Sequence, residues 1–336
     1  MILTKTKAHY AIAAVMLIVG ASGVCAQQPS SSDDLNKLMS HRAEMSTRSV
    51  DETLRRRFEE GKSESNFPSD GLKTKPGVTR ALTPEQQKAL QHNERGLQFF
   101  SKGKLDNAIR EYQDAIRSDP QLAAAHNNLG SAYFGAGRFM EAAAAFQKAG
   151  ELDPNYGQAF FNLALTQIKL GREKEANETL FSALRAYNSA GEAHLQANRL
   201  KEAEEAFRGM LQIDPEYPLA LLRIALICNE ASRYEEADNN ARLVTQREPN
   251  NATAHAILSE ALYGAHKYQE AVASADRALK LSPNFPYAHY FAGVARFSLG
   301  EREAALAHLA QLQKLNSPEL AQRLSDVLNG KAPAKQ

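Results

Sequence analysis

Apolar residues recur at every third or fourth position through most of the chain beyond residue 83, with polar residues between them, which is the period of amphipathic helices. The pattern breaks at short intervals, for example at Gly137-Arg138 and Gly171-Arg172, so it predicts paired short helices and not long rods. The pairs themselves repeat. Pro120, Pro154, Pro215, Pro249, Pro283 and Pro318 stand 34, 61, 34, 34 and 35 residues apart, and 61 is one period of 34 plus a shortened one of 27. A fixed period of this length marks stacked repeats.

Numbering each unit from 1 to 34 brings further columns into line. Position 20 is Ala in all seven units: Ala108, Ala142, Ala176, Ala203, Ala237, Ala271 and Ala305. Position 8 is small throughout (Gly96, Gly130, Ala164, Gly191, Ala225, Ser259, Gly293), and position 24 opens with Tyr112, Phe146, Leu180 and Phe207. Small residues at 8 and 20 let two helices approach closely, and the larger one at 24 is expected to fill the gap towards the next unit. The proline ends the second helix and turns the chain. One helix pair cannot bury its apolar faces, so the units must stack into an all-α solenoid.

These columns resemble the tetratricopeptide repeat (TPR) family. Unit two carries them most fully, as Ala125-His126-Asn127-Asn128-Leu129-Gly130 followed by Tyr133, Gly137, Ala142, Phe146, Ala149 and Pro154. The resemblance covers residues 89–319 and implies an α-solenoid of about seven helix pairs. The units are 89–122, 123–156, a shortened 157–183, 184–217, 218–251, 252–285 and 286–319, within an array spanning 83–319. Thr83-Pro84-Glu85 supplies its start signal, a Thr cap with Pro first in the helix. Leu320, Leu324 and Leu328 mark a capping helix over 318–329, before a disordered tail at 330–336. In the shortened unit, Ser189-Ala190-Gly191-Glu192 has the form of a capping box. It predicts that one helix ends near Tyr187 or Asn188 and a short one follows over 190–198. The competing geometry is one helix running through.

Residues 1–26 read as a secretory signal peptide: Lys5 and Lys7, the apolar run Ala11–Gly20, then Val24-Cys25-Ala26 before the cleavage point. An exported chain, periplasmic or extracellular, follows from that reading, as does the absence of a membrane span after cleavage. The alternative is an uncleaved amino-terminal anchor, since residues 8–26 carry no lysine, arginine or acid. Residues 27–82 are polar and proline-punctuated and read as a disordered tether. Cleavage removes two lysines and no acids, taking the net charge from +1 to −1, which argues against nucleic acid as the main partner. It leaves Cys228 alone, so no internal disulfide forms; its place in a helix-packing column reads as a small buried hydrophobe.

No catalytic constellation is present: no phosphate loop, HExxH, paired CxxC or GxSxG elbow. No cofactor, metal or catalytic residue is therefore expected. His92, His126, His255 and His289 all occupy position 4, where recurrence in one column predicts packing and not a metal centre. Asn177 and Asn251 match the glycan acceptor pattern.

The family resemblance implies that first-helix positions 2, 5, 6, 9, 12 and 13 line the concave face. In the amino-terminal half these place Asn93, Phe100, Asn127, Asn128, Phe134, Phe161 and Asn162 there as the candidate partner site. In some long arrays of the family, asparagines at position 6 grip the backbone of an extended peptide, a task suited to a group that both donates and accepts. The Lys and Arg needed to clamp a partner's terminal carboxylate are missing from units one to three. The carboxy-terminal half instead presents Leu219, Leu222, Leu226, Ile257, Tyr263, Tyr287, Tyr290, Phe291 and Phe297, either a binding patch or a face covered in part by the terminal helix. The expected role is a non-catalytic exported scaffold that holds a protein or extended peptide. The alternative is a structural or assembly subunit of an envelope complex, contacting partners through its ends or convex face. An enzyme would need a domain beyond the array.

Overall fold

The computed structural model describes residues 82–331; the expected leader or anchor and nearly all of the tether lie outside the described residues. Every regular element among the described residues is an α-helix. They fall into two compact units, 82–213 and 214–331. The first holds α1 (Pro84–Ser101), α2 (Leu105–Ser118), α3 (Ala123–Gly135), α4 (Phe139–Leu152), α5 (Gly157–Lys169), α6 (Glu173–Gln196) and α7 (Leu200–Ile213). The second holds α8 (Pro218–Glu230), α9 (Tyr234–Arg247), α10 (Ala252–Gly264), α11 (Tyr268–Leu281), α12 (Pro286–Ser298), α13 (Arg302–Lys314) and α14 (Pro318–Leu328). Within each unit, helices consecutive in sequence pack on each other, as an α-solenoid requires.

The array starts at a full capping box. Thr83 Oγ1 accepts from the Gln86 N–H at 3.2 Å and Gln86 Oε1 accepts from the Thr83 N–H at 3.1 Å, with Pro84 opening α1. The position-20 alanines are buried to 1 % exposure or less in every repeat, so the helix pairs touch there. The small residues at position 8 have a more specific task than spacing. A Cβ on Gly96, Gly130 or Gly191 would lie 2.4, 2.7 or 2.6 Å from the ring of Tyr112, Phe146 or Phe207, the position-24 residue of the same repeat. The position-24 ring therefore seats in a notch on its own partner helix, and Tyr112 also shares one buried cluster with Leu129, Ala132 and Tyr133 of the next repeat. Where position 8 is Ser259, its hydroxyl donates to the Ala271 carbonyl at 2.8 Å, tying positions 8 and 20 directly.

Both kinds of turn are built from specific residues. Position 15 takes a left-handed conformation in all repeats: Gly103, Gly137, Gly171 and Gly300 at φ 70–84°, and Asn198, Ser232 and His266 at 54–60°. Glycine does this without the Cβ penalty. Between repeats, Asp119, Asp153 and Asp214 accept from the backbone N–H two residues on, at 3.0, 2.9 and 3.1 Å, across Pro120, Pro154 and Pro215. Pro318 differs, because it opens α14 at the first helical position.

The shortened repeat takes the through-running geometry, correcting the expected helix end near Tyr187. α6 is unbroken for 24 residues, and Ser189 to Glu192 lie inside it. The residues deleted from this repeat are the ones that would have carried a turn and its proline. A Ser cap contributes about 1 kcal/mol, too little to replace the helical hydrogen bonds that a break would cost. The deletion of seven residues, close to two helical turns, keeps the apolar faces in phase. α5 and α7 both pack on α6, and Tyr187 is wedged between them: a Cβ on Gly157 or Gly209 would sit 2.5 or 2.3 Å from its ring. At the carboxy end, α14 packs on α12 and α13, setting Leu324 against Gly293.

Candidate functional site

The first helices α1, α3 and α5 of the amino-terminal unit run side by side. Their position-5 and position-6 amides meet across the repeat boundary. Asn128 Nδ2 donates to Asn93 Oδ1 at 2.9 Å, and Asn162 Nδ2 donates to Asn127 Oδ1 at 3.1 Å. Asn127 Nδ2 reaches Asn128 Oδ1 at 3.5 Å. Gln158 Nε2 donates to Asn162 Oδ1 at 2.9 Å, and the Tyr187 hydroxyl donates to Gln158 Oε1 at 2.9 Å. The result is one directed chain, Tyr187 to Gln158 to Asn162 to Asn127 to Asn128 to Asn93, in which each group donates to the next. Such chains polarise cooperatively in a low-dielectric setting. Burial pushes the Tyr187 phenol well above its usual range, so it stays a donor.

Of the expected site residues, Asn93, Asn127 and Phe161 are buried, Asn128, Asn162 and Phe134 are half-buried, and Phe100 is exposed. Buried amides need partners, and Asn93 and Asn127 find them in this chain. The half-buried Asn128 and Asn162 each commit one N–H here, leaving the second for other use. Phe134 packs edge-on against Phe139, with ring centroids 5.2 Å apart, while Leu90, Leu97 and Phe100 stand exposed on α1. Gln158 and Tyr187 were not among the expected site residues. Gln158 is signalled by its i to i+4 spacing from Asn162, whereas Tyr187 enters through the unbroken α6.

The position-4 histidines serve packing. Nε2 of His126, His255 and His289 lies 3.1, 3.1 and 2.9 Å from the carbonyl oxygens of Pro120, Pro249 and Pro283. A carbonyl only accepts, so each Nε2 carries the proton and each ring pins the preceding turn. Burial is the main cause lowering the pKa of all three. His92 has no repeat upstream and instead contacts Glu111 at 2.8 Å, with Arg95 3.3 Å from the same carboxylate. Asn251, one of the two glycan acceptor matches, caps α10 by accepting from the Ala254 N–H at 2.9 Å and is buried, so its amide is committed to the fold.

In the carboxy-terminal unit, Leu219, Leu222, Leu226, Ile257, Tyr287, Tyr290 and Phe291 are buried, and Tyr263 and Phe297 are half-buried.

Profile comparison matches a TPR repeat at residues 96–137 and tetratricopeptide repeats at 123–156, 194–261 and 258–319. Residues 157–193, which hold most of α6, lie between the matches. No curated protein matches the chain. Among solved structures, the second TPR of Spaghetti (RPAP3) bound to an HSP90 peptide is 30 % identical, covering 30 % of this chain and 94 % of its own, at a TM-score of 0.30. The Cut9–Hcn1 complex of the APC/C is 22 % identical over 75 % of this chain and 49 % of that one, at a TM-score of 0.39. A tetratricopeptide repeat protein from Parabacteroides merdae is 20 % identical, covering 72 % and 99 % of the two chains, at a TM-score of 0.37.

Proposed function

We propose, from the premise that the chain belongs to the tetratricopeptide repeat family, that it is a non-catalytic, exported scaffold holding an extended peptide or protein segment against the first helices of its amino-terminal unit. The observation that carries this reading is the amide chain. It aligns Asn128 and Asn162 on successive helices, each with a second N–H beyond the one used internally. Exposed Leu97 and Phe100 beside it offer apolar contact, and amides rather than charges offer the polar contact. That combination suits the backbone of an extended segment better than a charged terminus.

The reading is tested with Asn128→Ala, Asn162→Ala and the double variant in a pull-down from an envelope fraction, followed by affinity measurement on the captured partner. The double variant is expected to lose about 1–3 kcal/mol of binding energy while keeping its helical signal. Unchanged affinity would assign partner contact to the ends or convex face, as for a structural subunit. The export element is tested by sequencing the amino terminus of the mature protein, expected at Gln27; an intact chain in the membrane fraction would replace export with anchoring.

A further inference from the structure

The amide chain of the amino-terminal unit has two ends that differ in kind. Asn93 closes it on α1, accepting from Asn128 at 2.9 Å. Tyr187 opens it from the through-running helix α6, donating to Gln158 Oε1 at 2.9 Å. Every member except Tyr187 is a primary amide. A run of primary amides reads equally well in either direction, because turning over each group exchanges its donor for its acceptor. The direction is therefore decided by the one member of another kind.

Tyr187 is well placed to decide it. Its side chain is only 7 % exposed, and its ring is pinned between α5 and α7, where a Cβ on Gly157 or Gly209 would collide with it. Burial raises the phenol's pKa, so the hydroxyl keeps its hydrogen. If Gln158 turned over, its Nε2 would face the phenol oxygen, and the phenolic hydrogen would lose its acceptor in buried surroundings. A buried donor without an acceptor is costlier than a carbonyl with a spare lone pair. The Tyr156 phenol also hydrogen-bonds Asn127, but it is half-buried and can either donate or accept, so it serves both directions.

The direction fixes what the face offers. The oxygens of Gln158, Asn162, Asn127, Asn128 and Asn93 each accept a bond from within the chain. Asn128 and Asn162 keep a second N–H each. We propose that Tyr187 is a positioning residue for the partner face. From α6 it orients the amide chain so that Asn128 and Asn162 meet a bound extended segment as donors, and the segment is held through its main-chain carbonyl oxygens and not its N–H groups. This rests on the reading of α1, α3 and α5 as the partner face. It also gives the shortened repeat a task, since the unbroken α6 is what carries the phenol to the amides.

The test is a nuclear magnetic resonance spectrum of the full chain, labelled with heavy nitrogen at Asn and Gln. Tyr187→Phe keeps the ring in its two notches and removes only the hydroxyl. The side-chain amide signals of Asn162 and Asn127, neither of which bonds to Tyr187, should double along with that of Gln158 as both directions become populated, at unchanged helical content. Gln158→Ala, which removes the next link, should double the Asn162 and Asn127 signals too. Changes confined to Gln158 in the first variant, or single signals in both, would overturn the positioning role. So would equal doubling in Tyr156→Phe. The second probe is a short oligoproline, which is extended and rich in carbonyls but has no main-chain N–H after its first residue. It should shift the Asn128 and Asn162 signals of the parent chain, and the concentration for half the effect should rise about two- to tenfold in Tyr187→Phe. Unmoved signals, or an equal concentration in the variant, would overturn the donor face. The spectra are read without any partner. They decide the role of Tyr187 even if Asn128→Ala and Asn162→Ala leave partner affinity unchanged, a result that would count against the partner-face reading alone.

Discussion

At the residue scale, the repeat is written in side-chain volume. Gly130 and Gly135 lie on the same helix, α3, and the structure gives them opposite roles. Alanine is the better helix former by about 1 kcal/mol, so either substitution gains propensity. At Gly130 the added Cβ meets the buried Phe146 ring at 2.7 Å, and neither partner has room to withdraw. Gly130→Ala is therefore expected to destabilise by about 1–3 kcal/mol net, as overpacking does. At Gly135 the new Cβ stands 3.5 Å from Leu105, an ordinary contact, so Gly135→Ala should stabilise by about 0.5–1 kcal/mol. Urea midpoints of the two variants check both signs at once, and two changes of the same sign would refute the notch. A parallel expectation holds at the position-15 turn. Ser232 sits at φ 59° where four other repeats use glycine. Ser232→Gly relieves a penalty of about 1–2 kcal/mol against an entropy cost of about 0.5–1, so a small net gain in thermal midpoint is expected.

At the scale of elements, most of the array was legible before any coordinates. Pairs of helices, their breaks at Gly137 and Gly171, the start at Thr83 and the final helix from Pro318 all follow from local signals that the structure uses as read. α6 was not legible. Its sequence holds two competing local instructions, a capping box at Ser189 to Glu192 and an uninterrupted apolar phase, and the choice is made by tertiary packing. Tyr187 needs Gly157 on one side and Gly209 on the other, and only a continuous helix offers its ring to both α5 and α7. Ala190→Pro separates the two geometries sharply. Proline is welcome at the first position after a cap, so a reversal at Ser189 would tolerate it. In the middle of a continuous helix it removes a hydrogen bond and clashes with the preceding turn, costing about 3 kcal/mol. The expected outcome is a large drop in the denaturation midpoint with loss of helical signal. A silent Ala190→Pro would restore the reversal.

At the scale of the whole molecule, the asparagine cluster was legible as positions but not as bonds. The repeat register placed Asn93, Asn127, Asn128 and Asn162 in adjacent columns, yet only packed helices show that these amides hydrogen-bond one another. The histidine column was legible as structural, and its consequence is a property of the entire array. His126, His255 and His289 donate to proline carbonyls, and burial lowers their pKa values. His308, whose Nδ1 lies 3.0 Å from that of His289, is pushed down to about 4, mainly by burial and then by His289 and Arg296. With its proton on Nε2, His289 has an Nδ1 lone pair that accepts from His308, an arrangement that requires the His289 ring neutral. Folded values below the ordinary histidine value of about 6.5 mean that the unfolded chain takes up protons first on acidification. Stability from these groups is complete above about pH 6.5 and falls as the pH drops below it, until His308 itself titrates near 4. Between pH 7.5 and 5.5, before carboxylates begin to protonate, the urea midpoint should fall. The fall is shared among these rings, each of which contributes in the same direction because burial lowers its folded value. His308→Gln should lower stability at pH 7.5 yet show a shallower fall towards pH 5.5. A midpoint independent of pH across that window would show that the rings are solvated enough to titrate normally, and the proline contacts would then be incidental.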